Sequence, residues 1–298
     1  MLKRCAMQSR DDIVFDAIIT IISIIMLVIF LYPLYYLVIC SLSDLDAVFR
    51  GEVKLWIVGF NTESYKEMLE RPEIWRGYAI SIGITIVGTA LNLILTIIGG
   101  YVLSCREFAP RNLIMKFITF TMIFNGGLIP QFLLIQKMGM YGTYWPLILL
   151  GAINVQNLII ARTFFANNIP NELKEAAFLE GCNHVKMLRT VVLPLSKAII
   201  AVLALYYAVG HWNAYFNAMI YLVDENKAPL QLVLRRILNA SAASQNLGQD
   251  IEILLRQVRL AEQLKYSSVI VASIPALIAY PFVQKHFVKG IMIGSVKG

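Results

Sequence analysis

Six uncharged runs dominate this chain: Ala17–Cys40, Tyr78–Cys105, Phe117–Gln136, Met138–Ala161, Ala198–Val223 and Tyr266–Gln284. Each reaches or nearly reaches the roughly 20 residues with which a helix crosses a hydrocarbon core. A soluble all-α core accommodates one such run, but not six in succession. The expectation is an all-α membrane protein with six transmembrane helices, at approximately 14–41, 77–105, 113–136, 138–162, 197–223 and 266–287. Only Lys137 separates the third and fourth runs, so a tight hairpin around Gly139–Thr143 must join them. Pro33 sits inside the first run and predicts a kink, with neighbouring helices re-satisfying the freed carbonyl.

Composition agrees. Of 298 residues, 58% are hydrophobic and 15% charged, against about 25% charged in ordinary soluble domains; the mean hydropathy is +0.66. The first run is too long for a secretory signal, and no small-residue cleavage site follows it. Cys5, Cys40, Cys105 and Cys182 are scattered, with no CxxC and no histidine at metal spacing. They read as free thiols, with no metal site. No apolar run precedes Cys5, so a lipoprotein anchor is not expected there.

With the N-terminus inside, 14 of the 26 Lys and Arg and seven of the 19 acids fall on the inner side, a net of +7 there and zero outside. Short loops carry most weight in the positive-inside rule, and Arg106–Lys116 holds three positives against one acid. The chain is therefore read as N-in and C-in. Its +7 excess is a topology signal and not a nucleic-acid footprint. No linker or repeat divides it, so residues 1–298 form a single transmembrane domain. Two outer loops are substantial, 44–76 and 224–264. The first contains a helical piece, Thr62–Glu70, with Ser64 or Asn61 as cap. The second carries Leu230, Leu232, Leu234 and Leu238, then an amphipathic stretch Ile251–Leu264. Either loop can pack over the bundle or receive an extracytoplasmic partner.

The inner loop 167–195 is polar and helical in pattern. Asn168 or Asn171 can cap a helix, with Pro170 in its first turn and Glu172 and Glu175 favourable to its dipole. Gly181 can end that helix in the left-handed conformation, and Asn183 can cap a second short helix through Arg189. Pro194 marks the start of the fifth span. The result is a helix–Gly–helix elbow along the membrane surface. Interfacial helices are usually rich in Lys and Arg with large aromatics on the apolar face. This one is acidic at its start and bears Ala176 and Ala177 at its middle, which favours a protein groove. Leu173 and Leu179 would fill such a groove, and Glu175 and Glu180 would meet basic groups.

Glu175-Ala176-Ala177, Glu180-Gly181 and Leu193-Pro194 resemble the EAA loop of ABC importer membrane subunits. The family pattern has Asp at Glu180 and Ala at Cys182. Asn125-Gly-Gly-Leu-Ile-Pro130, Arg162-Thr-Phe-Phe165, His211-Trp-Asn-Ala-Tyr-Phe-Asn217 and the tail Lys289–Gly298 extend the resemblance to sugar-importer permeases of the MalG type, and to their complex-polysaccharide or lipoprotein-named branch. That resemblance implies a type I importer permease fold whose elbow is a cytoplasmic coupling helix seated in a cleft of a separate ATPase. Glu175, Ala176, Ala177, Leu179, Glu180 and Gly181 are then the coupling positions. It also implies a homologous second permease in a heterodimer, two ATPase subunits that hold the ATP and Mg, an extracytoplasmic solute-binding protein, and a place in the bacterial cytoplasmic membrane. The branch includes importers of uronate-bearing oligosaccharides such as pectic or alginate fragments.

The residues read alone agree on the energy source. There is no GxxxxGK[ST] phosphate loop, and the chain is expected to bind no cofactor itself. His211 is the one group in the runs that titrates near neutrality, whereas proton-coupled carriers usually need intramembrane relays. An ion-coupled secondary transporter of a neutral polar solute is the alternative. A membrane-embedded enzyme ranks last, since HExxH, GxSxG and paired intramembrane carboxylates are absent, and no catalytic residue is assigned. Candidates to line a sugar path are Asn125, Asn154, Trp212, Asn213, Tyr215 and Asn217, by amide hydrogen bonding to hydroxyls and aromatic stacking. The competing explanation is interhelical hydrogen bonding, favoured for Asn154 and Asn157. Arg235 and Arg236 in the last outer loop could meet an acidic sugar.

Overall fold

The computed structural model describes residues 10–243 and 251–294, and every regular element among them is helical. In chain order these are α1 (Arg10–Ser41), α2 (Leu45–Phe49), α3 (Glu63–Glu70), α4 (Pro72–Ser104), α5 (Arg111–Ile123), α6 (Leu128–Lys137), α7 (Trp145–Leu149), α8 (Val155–Asn168), α9 (Asn171–Leu179), α10 (His184–Met187), α11 (Leu193–Leu195), α12 (Lys197–Asn213), α13 (Phe216–Tyr221), α14 (Leu230–Ala243) and α15 (Ile251–Gly294). A π segment, Leu188–Val192, joins α10 to α11, and a 3-10 turn covers Glu225–Lys227. Cys5 and the end of the tail motif, 295–298, lie outside the described residues.

The uncharged runs do not map one to one onto helices. Two helices are long and apolar enough to cross a membrane, over Asp11–Ser41 and Pro72–Ser104. Two more pass only as bent pairs: α5 with α6 at 113°, and His184–Leu195 with α12 at 85°. Among the described residues this gives two spans, or up to four if each bent pair is one. The run at 113–136 breaks at 124–127, the run at 138–162 separates into α7 and α8, and the run at 197–223 breaks at Ala214 and Tyr215. The run at 266–287 lies within α15, which is continuous with the amphipathic stretch before it.

Two of the breaks have a local cause. Asn125 Oδ1 accepts from Gly127 N at 3.0 Å, and Asn154 Oδ1 accepts from Asn157 N at 3.1 Å, capping α8. Short amide side chains offer the backbone an alternative to the helical ladder. Uncharged length is blind to that competition. Pro33 sits inside α1, which continues through it to Ser41.

The chain divides into two compact units. The first takes Met1–Glu70 and Ile237–Ala272. Its small core is Ile39, Cys40, Ala47, Val48 and Val53, with Tyr36 and Tyr266 against it. The buried Gln263 amide donates to Ser43 O at 2.6 Å, Tyr65 OH donates to Ser41 Oγ at 2.7 Å, and Arg259 pairs with Asp46. The expected loop helix is α3. Asn61 starts it, accepting from Glu63 N at 2.7 Å, whereas Ser64 lies inside the helix and is buried. Along α1, residues 11–35 expose apolar side chains almost without interruption.

The second unit, Arg71–Arg236 with Ser273–Gly298, is organised around α4, which packs chiefly against α12 and α8. The inward stripe of α4 is Gly77, Ser81, Ile84, Gly88, Asn92, Thr96 and Gly100. Residues three and four apart share a helix face. Small residues on that face let backbones approach closely in a membrane. A Cβ on Gly100 would lie 2.9 Å from Ala161 Cβ of α8. Ser81 Oγ accepts from Leu230 N at 2.8 Å, which satisfies the first donor of α14.

Candidate functional site

The elbow is built by two helix ends. Pro170 is the N-cap of α9, with φ −57° and ψ 141°. Neither expected asparagine caps it, because Asn168 closes α8 and Asn171 is already helical. At the other end Cys182 N donates to Ala177 O at 3.0 Å and Gly181 N to Phe178 O at 3.0 Å. This pair of bonds is a Schellman motif, and it requires a left-handed residue after the cap. Gly181 supplies it with φ +77°. Asn183 Oδ1 then accepts from Lys186 N at 2.8 Å and starts α10. The second arm does not stop at Arg189. It continues through the π segment and α11 to Leu195, then bends into α12.

The coupling candidates divide between two faces. Ala177 is 9% exposed and points into the chain. It belongs to a core with Tyr101, Cys105, Ala161, Phe165, Ile169, Met187, Val192 and Leu203, against which Cys182 also packs. Glu175, Ala176, Glu180 and Gly181 are exposed, and Leu179 is 90% exposed, an apolar side chain left almost bare. The core draws on α4, α8, α9, α10, the π segment and α12, so the buried back of the elbow is continuous with three long helices.

Polar contacts fix the same junction. The Phe178 ring stands edge-on to His184 at 5.0 Å, and Tyr101 OH lies 3.4 Å from His184 Nδ1. Arg162 Nε donates to Leu103 O at 3.0 Å and Arg111 Nη1 to Cys105 O at 3.0 Å. Both guanidiniums thus sit on otherwise open carbonyls at the end of α4, where cations also suit the helix dipole.

A polar seam runs between α4 and α12. Asn92 Nδ2 and His211 Nε2 are 3.0 Å apart, Thr96 Oγ1 and Tyr207 OH 2.6 Å, and Asn154 N donates to Tyr207 OH at 3.2 Å. Asn154 therefore spends its side chain on capping its own helix, α8, and its backbone N–H on Tyr207. Trp212 and Asn213 end α12, Tyr215 caps α13, and Asn217 lies within α13. Those four gather at the α12–α13 break. Asn125 is exposed in the separate break between α5 and α6. The Trp212 ring sits 6.1 Å from Tyr78, and Arg235 stacks over Tyr215 at 4.4 Å. The small-residue stripe of α4 and the pairing of His211 and Tyr207 with it escaped the reading of the sequence. The signal was there, in small and polar residues recurring three and four apart inside an apolar run.

No family model matches the chain. Curated relatives do. Protein LplC of Bacillus subtilis (strain 168) is 39% identical over 266 residues, covering 89% of this chain and 89% of that protein. The polygalacturonan/rhamnogalacturonan transport system permease protein YtcP of the same organism is 38% identical over 266 residues, covering 89% of this chain and 92% of that one. A solved bacterial ABC transporter, involved in the import of the acidic polysaccharide alginate, aligns with a TM-score of 0.81 and 32% identity over 95% of this chain and 99% of that one. The chain belongs to the ABC sugar-importer permeases.

As an ABC importer permease it is a helical membrane transport subunit and not an enzyme. The structure gives the two departures from the EAA pattern a physical place. Glu180 is the C-cap of α9, and its side chain is exposed, where one more methylene than Asp meets solvent. Cys182 follows Gly181 and packs on the core, where a small apolar side chain is wanted.

Proposed function

We propose that this permease moves an acidic oligosaccharide, released by a solute-binding protein, across the bacterial cytoplasmic membrane, and that ATP hydrolysed by a partner subunit drives it. One observation carries the coupling part of the reading: Leu179 is 90% exposed on one face of the elbow, while Ala177, two residues before it, is buried on the other. A bare apolar side chain flanked by Glu175 and Glu180 suits a groove with basic walls in an ATPase. The buried back then carries any displacement of the groove into α4, α8 and α12, because close-packed interiors transmit strain.

The assembly comprises this chain as one six-span, N-in and C-in domain, a homologous second permease, two ATPases holding ATP and Mg, and the binding protein. The spans are 14–41, 77–105, 113–136, 138–162, 197–223 and 266–287, with loops 44–76 and 224–264 outside. The helix breaks at 124–127 and at Ala214–Tyr215 support a sugar path there, since irregular backbone at membrane depth is tolerated where it is buried or lines a cavity. Asn125, Trp212, Asn213, Tyr215 and Asn217 line it, and Asn154 supports its wall. The substrate class rests on YtcP, named for polygalacturonan and rhamnogalacturonan transport, and on the importer of the acidic polysaccharide alginate.

The test is reconstitution of all four kinds of subunit in liposomes. ATP-dependent uptake of a uronic-acid oligosaccharide, with ATP hydrolysis stimulated by the loaded binding protein, supports the proposal. Uptake by this chain alone under a proton or sodium gradient contradicts it.

A further inference from the structure

Three aromatic rings follow one another at the start of α4. Trp75 and Tyr78 have centroids 6.2 Å apart at an interplanar angle of 37°, and Tyr78 and Trp212 lie 6.1 Å apart at 38°. Two rings come from α4 and one from the end of α12, so the series exists only when these helices are packed. Trp75 is 57% exposed. Three residues beyond Trp212, Tyr215 carries the guanidinium of Arg235, 4.4 Å from its ring centroid.

The cations near this end of α4 are not equivalent. Arg236 faces Glu225 at 3.8 Å, Arg76 donates to Asn226 Oδ1, Lys227 Nζ donates to Gly142 O at 3.2 Å, and Arg71 meets Glu73 at 3.4 Å. Arg235 is exposed, and among the described residues no carboxylate lies within ion-pair distance of it. A neutral π face orients a guanidinium without cancelling its charge, and it leaves the planar fork of donors available. A bidentate carboxylate is the ligand that such a fork fits best.

A pyranose offers a flat C–H face to an aromatic ring, and a uronic acid adds one carboxylate per sugar. We propose that Trp75, Tyr78 and Trp212 form a stacking platform, and that Arg235, held on Tyr215, binds the carboxylate of a uronic-acid oligosaccharide there. This rests on the function proposed above and adds that this chain itself senses the acid, independently of the binding protein. A belt of interfacial rings that merely anchors the helix end would be indifferent to ligand charge.

The complex of both permeases and both ATPases, in nanodiscs and without binding protein, is titrated with trigalacturonic acid and with its carboxyl-reduced trimer, by calorimetry and tryptophan fluorescence. The wild type should bind the acid more tightly and quench on binding. Arg235→Gln, at an exposed position, should keep its unfolding midpoint and weaken the acid about tenfold while leaving the neutral trimer unchanged, as expected for a lost charge-assisted bond. Trp212→Ala should weaken both. An unchanged acid-to-neutral ratio in Arg235→Gln, or equal weakening of both trimers, overturns the subsite. When either of those results is found and the reconstituted wild type still imports the acid under ATP, the subsite alone has failed. If the wild type neither binds nor imports it, the substrate proposal falls as well.

Discussion

The imidazole of His211 reaches Asn92, 3.0 Å from Nε2 to Nδ2, directly across the face of Gly88. A Cβ on Gly88 would lie 2.5 Å from that same Nε2. One missing side chain on α4 therefore makes room for the polar contact that ties α4 to α12.

Gly88→Ala should break that contact. The ring must swing away and Asn92, 2% exposed, loses its partner. Overpacking of this kind costs about 1–3 kcal/mol. The unfolding midpoint of the detergent-solubilised complex should fall by several degrees, and the drop should shrink in a His211→Ala background, where the clash is gone. Equal drops in both backgrounds would mean that Gly88 acts elsewhere.

Tyr207→Phe tests the next rung of the seam. Thr96 Oγ1, wholly buried, and Asn154 N both lose the phenol oxygen. Interhelical hydrogen bonds in membranes average about 0.6 kcal/mol, and a buried group left unpaired costs about 1–3. A loss near 1 kcal/mol is expected in reversible unfolding, with α8 and α12 the first helices to gain hydrogen exchange. No change in either would show that the seam is not a stabilising contact.

Gly181→Ala isolates the backbone of the elbow. Nothing lies within 4 Å of the added Cβ, so the cost is conformational, from φ +77°. For a residue other than glycine that is about 1–2 kcal/mol. Gly181→Asn should cost less, because Asn tolerates the left-handed region. The ratio of transport to ATP hydrolysis in liposomes should fall in the order Gly, Asn, Ala. Identical ratios would separate the turn from coupling.

What the sequence made legible followed from chemistry confined to a few neighbouring residues. Gly181, Asn183 and Asn61 act on backbone groups within a few positions of themselves, and each was readable as a turn or cap. Uncharged length alone read badly wherever an amide intervened, as at Asn125 and Asn154, which divert the backbone from the helical ladder. The burial of Ala177 was out of reach for a different reason. Which face of α9 turns inward is decided by Tyr101, Phe165 and Leu203, between 12 and 76 positions away. The pairing of Asn92 with His211 spans 119 positions and depends on how α4 and α12 cross.

If force from an ATPase enters this chain at the elbow, Leu179→Asp should disconnect the two. The side chain is 90% exposed, so the change leaves the fold intact, while a carboxylate pressed onto the apolar floor of the groove, between its basic walls, removes an anchor of the kind that costs about 2 kcal/mol or more, roughly thirtyfold in affinity. Complexes purified through the permease should keep their unfolding midpoint and the second permease, and lose most ATPase subunit and ATP-driven uptake. Wild-type amounts of ATPase and wild-type uptake in Leu179→Asp would contradict it.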